Sequence, residues 1–464
     1  MELINNYQLP EGYKKTEVGL IPVDWLCLKI GDLLSFKNGL NKSKTFFGNG
    51  TPIVNYMDVF QHPGLYKSDI LGKVTVSNDE IRAYGVRKGD VFFTRTSETV
   101  EEIGMATVLL ENIDNCVFSG FVLRGRPKNS DCDLNLIFKK YCFNSEIVRK
   151  QVTSTSSYTT RALTNGKLLS QVILPCPATL PEQEAIAQTL SDVDALIDEL
   201  DKLIAKKRNI KTGTMQQLLT GKTRLPGFGE GKGYKKSAIG VIPEDWDVIN
   251  IQTALDEKYI EDQMDGNHGE LYPRSHEFVS YGVPYIGAND FLNGQVNLKN
   301  CKFLSETRAK QFKKGIARNG DVLFAHNATV GPVAILKFGG DFLILSTTAT
   351  YFRCNQEKLN NLYFRFVLEA QYFIKQYRAV MAQSTRFQVP ITTQRKFLIA
   401  VYPIEEQKAI AQVLSDIDTE ITALEKRRAK TQAIKQGMMQ ELLTGRTRLK
   451  IEHPDDPITK NSNG

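Results

Sequence analysis

Long apolar runs are missing from this 464-residue sequence. No stretch reaches the roughly 18 apolar residues that a membrane-spanning helix needs. The opening MELINNYQLPEGYKK lacks the charged, apolar and small-residue pattern of a signal peptide. A soluble, cytoplasmic chain is the expectation. Cysteine is sparse and scattered, at Cys27, Cys116, Cys132, Cys142, Cys176, Cys301 and Cys354, with no CxxC pair. The five histidines do not cluster with them, so neither a zinc site nor a disulfide framework is expected. Only two tryptophans occur, Trp25 and Trp246.

Catalytic signatures are missing as well. Gly221-Lys222-Thr223 has the end of a phosphate-binding loop, but the glycine required five residues earlier is Gln216. The glycines Gly227, Gly229, Gly231 and Gly233 follow no predicted strand and open no helix, so they are no dinucleotide fingerprint. No Asn-Pro-Pro-aromatic or Asp-Pro-Pro-Tyr run is present, as an amino-methyltransferase would need. Pro454, Asp455, Asp456 and Lys460 have the order of a nuclease motif but no strand behind them. The chain is therefore expected to carry no catalytic residue, cofactor or metal. A net charge of +7 and a pI near 8.8 are compatible with a nucleic-acid partner without being diagnostic of one.

What is present is repetition, which fixes architecture before anything else. The stretch 180–225 aligns without a gap with 404–449, and more than half of the positions are identical. Each copy reads as one helix of about 38 residues, roughly 57 Å long. Apolar residues recur in steps of four and three at Ile186, Leu190, Val193, Ile197, Leu200 and Ile204, and again at Ile410, Leu414, Ile417, Ile421 and Leu424. That is a heptad seam. It weakens at 206–209 and 427–432, then is expected to resume at Ile210, Met215 and Leu218, and at Ile434, Met438 and Leu442. Pro181 fits a helix start; Gly221 and Gly445 fit the stops.

Two such seams in one chain suit each other, and charge predicts an antiparallel pair. Asp192, Asp194, Asp198, Glu199 and Asp201 lie early in the first helix. Lys426, Arg427, Arg428 and Lys430 lie late in the second. Antiparallel packing brings the two signs together, and each sign also suits its end of the helix dipole. A solvated charged face on ordinary bundle helices is the bland alternative.

A second repeat precedes each half. YKKTEVGLIPVDW at 13–25 matches YKKSAIGVIPEDW at 234–246. Each leads into a short apolar run and then a globular unit of mixed short strands and helices. VRKGDVFFTR at 86–95 and IARNGDVLFAH at 316–326 read as a Gly-Asp turn followed by a buried strand, at the same place in both units. Pro52–Asp58 likewise resembles Pro284–Asp290. Elsewhere the units differ. The stretch TGKTRLPGFGEGKGYKK at 220–236 reads as a linker, and the polar tail after Lys450 as disordered.

The candidate binding residues are polar loops inside the divergent units. In the first unit they are Thr94, Arg95, Thr96 and Ser97 after the strand, with Ser156, Ser157, Tyr158, Thr160 and Arg161 in a hydroxyl-rich stretch. In the second they are His326, Asn327 and Thr329, with Gln383, Ser384, Thr385 and Arg386. Such residues suit phosphate positioning and base-edge readout, with Arg reading guanine, Asn or Gln reading adenine, and Ser or Thr reading either. Any one of them alone is an ordinary polar surface loop. Matched loops in two equivalent units favour binding.

With these pieces in place the chain resembles the specificity subunit of type I restriction–modification systems. The residues that carry the resemblance are the Glu-Gln-x-x-Ile-Ala boxes at 182–187 and 406–411, the Leu-Ser-Asp-x-Asp runs, and the Leu-Leu-Thr-Gly-[Lys/Arg]-Thr-Arg-Leu ends. The Ile-Pro-x-Asp-Trp turns and Gly-Asp-Val-[Phe/Leu]-Phe strands also match. One departure is the absence of Pro-Pro-Leu before each Glu-Gln; here stand 177–181, PATLP, and 402–404, YPI.

The resemblance implies an α+β fold. Two similar α/β target recognition domains would be separated by two long antiparallel coiled-coil helices, in a circular arrangement with a pseudo-two-fold axis. The segments would be 1–24, an N-terminal segment; 25–179, the first recognition domain; 180–222, the first spacer; 223–245, a linker; 246–403, the second recognition domain; 404–449, the second spacer; and 450–464, the tail. It further implies a non-catalytic subunit reading a bipartite, asymmetric double-stranded DNA target. Two modification subunits that use S-adenosylmethionine would be its partners, with motor–nuclease subunits that use ATP and magnesium. The competing reading from a different class is a coiled-coil scaffold with two protein-binding domains.

Overall fold

The computed structural model describes residues 9–128, 134–158, 161–266, 271–383 and 387–450. The chain divides into two compact units. The first comprises Met1–Leu200 and Arg427–Gly464; the second is the contiguous Asp201–Lys426.

Each unit is built around the strand that follows its Gly-Asp turn. In the first unit this is Val91–Thr94, buried along its whole length. Its side chains alternate between two cores. Val91 and Phe93 join Trp25, Phe138 and Leu190, whereas Phe92 joins Val54, Leu109 and Phe118. A strand buried on both faces reads as a continuous apolar run, which is why VFF marked it in the sequence. It sits at the centre of a five-stranded sheet in the order Leu34–Asn38, Val122–Pro127, Val91–Thr94, Ala106–Leu109 and Gly64–Leu65. A three-stranded sheet, Val117–Phe118, Phe47–Val54 and Lys73–Val74, packs nearby.

The second unit repeats the plan with additions. Val322–Ala325 is central in a six-stranded sheet and again splits two cores, with Val322 and Phe324 on one side and Leu323 on the other. The accompanying sheet has five strands: Phe278–Val279, Lys302–Leu304, Val283–Ile286, Leu343–Leu345 and Ile316–Ala317. The Gly-Asp turns are rigid for the same reason in both. Asp90 is buried and bound by both Arg126 (2.6 Å) and the Arg87 amide (2.8 Å); Asp321 is buried and bound by Arg353 (2.8 Å) and the Arg318 amide (2.8 Å). Burial pushes the Asp321 carboxyl up, with the Arg353 pair pulling the other way.

The two long helices are Leu180–Leu218 and Ile404–Leu442, 39 residues each. Within the first unit the head of one lies beside the tail of the other: Asp194 pairs with Lys435. Within the second unit Lys211 pairs with Asp418 at 2.7 Å. These are the same pair of sequence-equivalent residues seen from either half, and they make the helices antiparallel. Each carboxylate is also claimed by a cation of the globular unit, Lys140 at 2.8 Å and Arg365 at 2.6 Å.

The seam holds at Ile186, Leu190, Ile197, Leu200 and Ile204, and at Ile410, Leu414 and Ile421, all buried. Val193, Ile417 and Leu424 are half-buried. One expectation fails. Ile210 and Ile434 do not resume the seam; they are 43% and 48% exposed. The seam passes instead through their neighbours Lys211 and Lys435, mostly buried side chains whose ammoniums lie over the Phe366 and Tyr141 rings and reach the aspartates. Cations outside 426–430 take part in the charge pairing as well. In the second unit Lys207 meets Glu420 and Arg208 meets Glu425 (2.6 Å), besides the Lys211 pair.

The three kinds of repeated motif converge on one clasp per unit. In the first, buried Glu182 accepts from Trp25 Nε1 (3.2 Å) and Arg448 Nη2 (2.8 Å), while Arg448 also grips Asp24 (2.9 and 3.0 Å). In the second, buried Glu406 accepts from Trp246 Nε1 (3.3 Å) and Arg224 Nη2 (2.7 Å), while Arg224 also grips Asp245 (2.9 and 3.2 Å). The stop glycines are needed twice over. Gly221 and Gly445 have φ of 66° and 70°, and a β-carbon on either would collide with Pro243 or Pro22 of the adjoining turn. The adjacent Gln183 and Gln407 take the backbone N–H of Asn135 (2.9 Å) and Asn360 (3.0 Å), residues that cap the helices Leu136–Cys142 and Asn361–Leu368. Each long helix is thereby bolted to its globular unit.

The ion pairs set an acid limit. The Lys140, Lys435 and Tyr141 hydrogen bonds outweigh burial and hold the Asp194 carboxyl below its ordinary range. Arg448 and Arg224 do the same for Asp24 and Asp245. A depressed folded-state pKa contributes stability that is complete above the unfolded value, about 3.9, and is lost as pH falls through the folded one. The stability difference between the wild type and Asp194→Asn is therefore expected to be constant above about pH 5 and to shrink below about pH 4 in urea-unfolding series. A difference independent of pH down to 3 would show that the Asp194 carboxylate is not held this way.

Candidate nucleic-acid interface

The structure brings the two predicted loops of each unit together. In the first unit Thr96–Ser97 forms a small sheet with Ala162–Leu163 and Ser157–Tyr158, in the order 157–158, 162–163, 96–97. The Thr164 amide donates to the Arg95 carbonyl (3.1 Å), and the Arg95 amide to the Phe121 carbonyl (3.2 Å). In the second unit Asn327 bridges Gln388 in antiparallel register. The Val389 amide donates to the His326 carbonyl (2.8 Å), and the Ala328 amide to Phe387 (3.2 Å). The same pairing thus recurs at the same place, just past the central strand.

Not all candidate side chains face outward. Thr94 is fully buried; its hydroxyl donates to the Glu102 carbonyl (3.1 Å) and accepts from the Met105 amide (2.9 Å). Ser97 is buried and donates to Glu102 Oε2 at 3.0 Å. His326 is buried, with Nδ1 2.9 Å from the Thr350 hydroxyl. These three buttress the loops from inside. Ser156 is half-buried and donates to the Thr153 carbonyl at the end of helix Glu146–Thr155 (2.8 Å). Arg95, Thr96 and Asn327 are half-buried, and Ser157, Arg161, Thr329 and Gln383 are exposed. Tyr158 contributes its backbone to the small sheet. Thr160, Ser384, Thr385 and Arg386 lie outside the described residues.

Other residues of the site were invisible to loop reasoning. In the second unit a buried polar chain supports both loops: Gln394 Nε2 donates to Thr350 Oγ1 (3.1 Å) and to the Val389 carbonyl (2.9 Å), and Gln263 Nε2 donates to Gln394 Oε1 (3.2 Å). Ala328 sits at φ 65°, a left-handed conformation that a non-glycine residue holds only where its surroundings enforce it. Phe121 and Phe387, 60% and 71% exposed, stand beside the two loop pairs. Large exposed aromatics at polar loops would have been a usable signal in the sequence had their exposure been predictable. Among the described residues no group of three or more His, Cys, Asp or Glu side chains is placed to hold a metal ion, and no helix is long and apolar enough to cross a membrane.

Residues 22–211 and 257–436 match the family described as the type I restriction modification DNA specificity domain. The chain belongs to that family. Two specificity domains account for the two globular units, and each match runs on into a long helix. Across the whole length, the chain is 29% identical over 458 residues to the putative type I restriction enzyme MjaX specificity subunit of Methanocaldococcus jannaschii, covering 97% of this chain and 100% of that one. It is 25% identical over 454 residues to the MjaVIII specificity subunit of the same organism, covering 97% and 99%. The fold of the specificity family is also seen in the crystal structure of the type I restriction–modification S subunit from M. genitalium, with a TM-score of 0.53 at 15% identity over 94% of this chain and 97% of that one. The repeated clasp, helix pair and loop pair are therefore features of a DNA specificity protein.

Proposed function

We propose that this chain is the non-catalytic, sequence-reading subunit of a cytoplasmic type I restriction–modification complex, each unit reading one half of an asymmetric bipartite site in double-stranded DNA. The observation that carries this reading is the loop pair. It is built the same way in both units, yet presents Arg95, Thr96 and Arg161 in one and Asn327, Thr329 and Gln388 in the other. One scaffold with two different faces reads two different half-sites. Phosphate contacts would position each unit and side chains at base edges would specify the letters. The paired helices set the gap and seat two methyltransferase subunits. S-adenosylmethionine belongs to those partners, and ATP and magnesium to motor–nuclease subunits that join them.

The test is adenine-methylation mapping of genomic DNA from cells with and without this chain, the modification subunit being present in both. A new two-part motif with a fixed gap and a methylated adenine in each half is the expected result. No new motif, from a complex shown to assemble, would overturn the proposal in favour of a protein-binding scaffold.

A further inference from the structure

The loop pair of the first unit borders an open cavity of about 340 Å³. Its apolar wall is Tyr56 and Phe60, stacked at 5.9 Å between ring centroids, with Phe121 beside them. Two opposite charges, Glu98 and Arg161, line the same cavity. Both are exposed. Among the described residues neither is paired with the other or with any third group. The neighbouring carboxylate Glu102 differs, being occupied by the Ser97 hydroxyl. Other arginines of the unit are committed as well: Arg126 to Asp90, Arg149 to the Ile103 carbonyl, Arg448 to Asp24.

A free carboxylate is an odd thing to find on a DNA-facing loop. Against phosphate it repels. It becomes favourable where it accepts a hydrogen bond from a base amino group. A free guanidinium alone would suit phosphate or guanine equally. A carboxylate and a guanidinium held apart on one cavity need a ligand that shows acceptors to the cation and a donor to the anion. The major-groove edge of a G·C pair does this, with O6 and N7 on guanine and the N4 amino group on cytosine. An A·T pair offers thymine O4 and a methyl group where the cation would want its two-acceptor partner.

We infer that the first unit reads a G·C base pair through this cavity, Arg161 forking onto the guanine and Glu98 accepting from the cytosine, with Phe121 packed against the step beside it. The corresponding loops of the second unit present amides and a hydroxyl, Asn327, Gln388 and Thr329, and do not read a pair this way. The inference rests on the proposed DNA-reading role and goes on to assign one letter of the target to named side chains.

The test is methylation mapping with the wild-type chain and with Glu98→Gln, Arg161→Ala and Arg161→Lys, each assembled with the modification subunit. All three changes lie at exposed positions, and an unchanged thermal midpoint checks that the unit still folds. The wild type is expected to require G·C at one position of one half-site. The variants are expected to relax that same position, with a loss of discrimination of about 5–150-fold, leaving the other half and the gap unchanged. Arg161→Lys should relax it too, because an ammonium lacks the two-pronged geometry. The inference is overturned if the variants keep every letter, whether methylation is unchanged or uniformly weaker, or if the Glu98 and Arg161 changes relax different positions. A wild-type chain that directs no two-part motif overturns the DNA-reading role itself, so the two failures are distinguishable.

Discussion

Replacing Arg224 with alanine is expected to lower the stability of the second unit by about 3–5 kcal/mol. Glu406 is 1% exposed, and among the described residues its charge is neutralised by Arg224 alone, Trp246 supplying a neutral N–H. Removing the guanidinium leaves a carboxylate buried and uncompensated, which costs far more than an intact pair contributes. Arg224 also covers the face of Trp246 at 5.5 Å and fixes Asp245, so packing is lost as well. The equivalent Arg448→Ala in the first unit should cost less, because the Arg448 side chain is 39% exposed against 12% for Arg224, and water can replace part of what is removed. The chain supplies its own reporters, since Trp25 and Trp246 are both fully buried, one in each unit. Urea unfolding followed by fluorescence in Trp25→Phe and Trp246→Phe backgrounds reads the units separately. A loss under about 1 kcal/mol for Arg224→Ala would show that the clasp is ornamental, and equal losses in both units would show that the difference in exposure does not matter.

On the proposed bipartite reading, lengthening both long helices by four residues is expected to move the two halves of the DNA motif apart while leaving their letters intact. The insertions belong between Lys202 and Leu203 and between Lys426 and Arg427, points that lie midway between the Asp194–Lys435 and Lys211–Asp418 pairs along both helices. Four residues add about 6 Å at 1.5 Å each. Double-stranded DNA rises about 3.4 Å per base pair, so the gap should grow by about two base pairs. Methylation mapping reads the outcome directly. An unchanged gap would mean that something other than the helices sets the spacing. Changed letters would mean that the helices take part in reading.

Most of the frame was legible because it was written twice. A heptad seam, stop glycines and a Gly-Asp turn before an apolar strand are local rules, and each occurs in two copies that check one another. The errors came where local chemistry was ambiguous. Ile210 and Ile434 are the more apolar choice at the point where the seam resumes, yet the 3.6-residue period places Lys211 and Lys435 there, and a long aliphatic stem satisfies the seam nearly as well. The loops were found as polar stretches after matched strands. Which of their side chains face solvent was not legible, since Thr94, Ser97 and His326 look like binding residues and are buried by partners far along the chain: His326 through Thr350 and Gln394, Ser97 through Glu102. The clasp was hidden for the same reason. Nothing in the sequence says that Trp25, Glu182 and Arg448 meet.

That meeting has a consequence for how the protein is made. The second unit is one uninterrupted stretch, 201–426, whereas the first is closed by residues from both ends of the chain, with Arg448 reaching Asp24 across 424 positions. Chains emerge from the ribosome N-terminus first, and long-range contacts pay a loop-closure cost before they return anything. The domain that is synthesised first is therefore the one that is completed last. Until the end of the second helix arrives, Glu182 and Trp25 wait without Arg448, and a chain truncated before that point is expected to complete the second unit and leave the first one open.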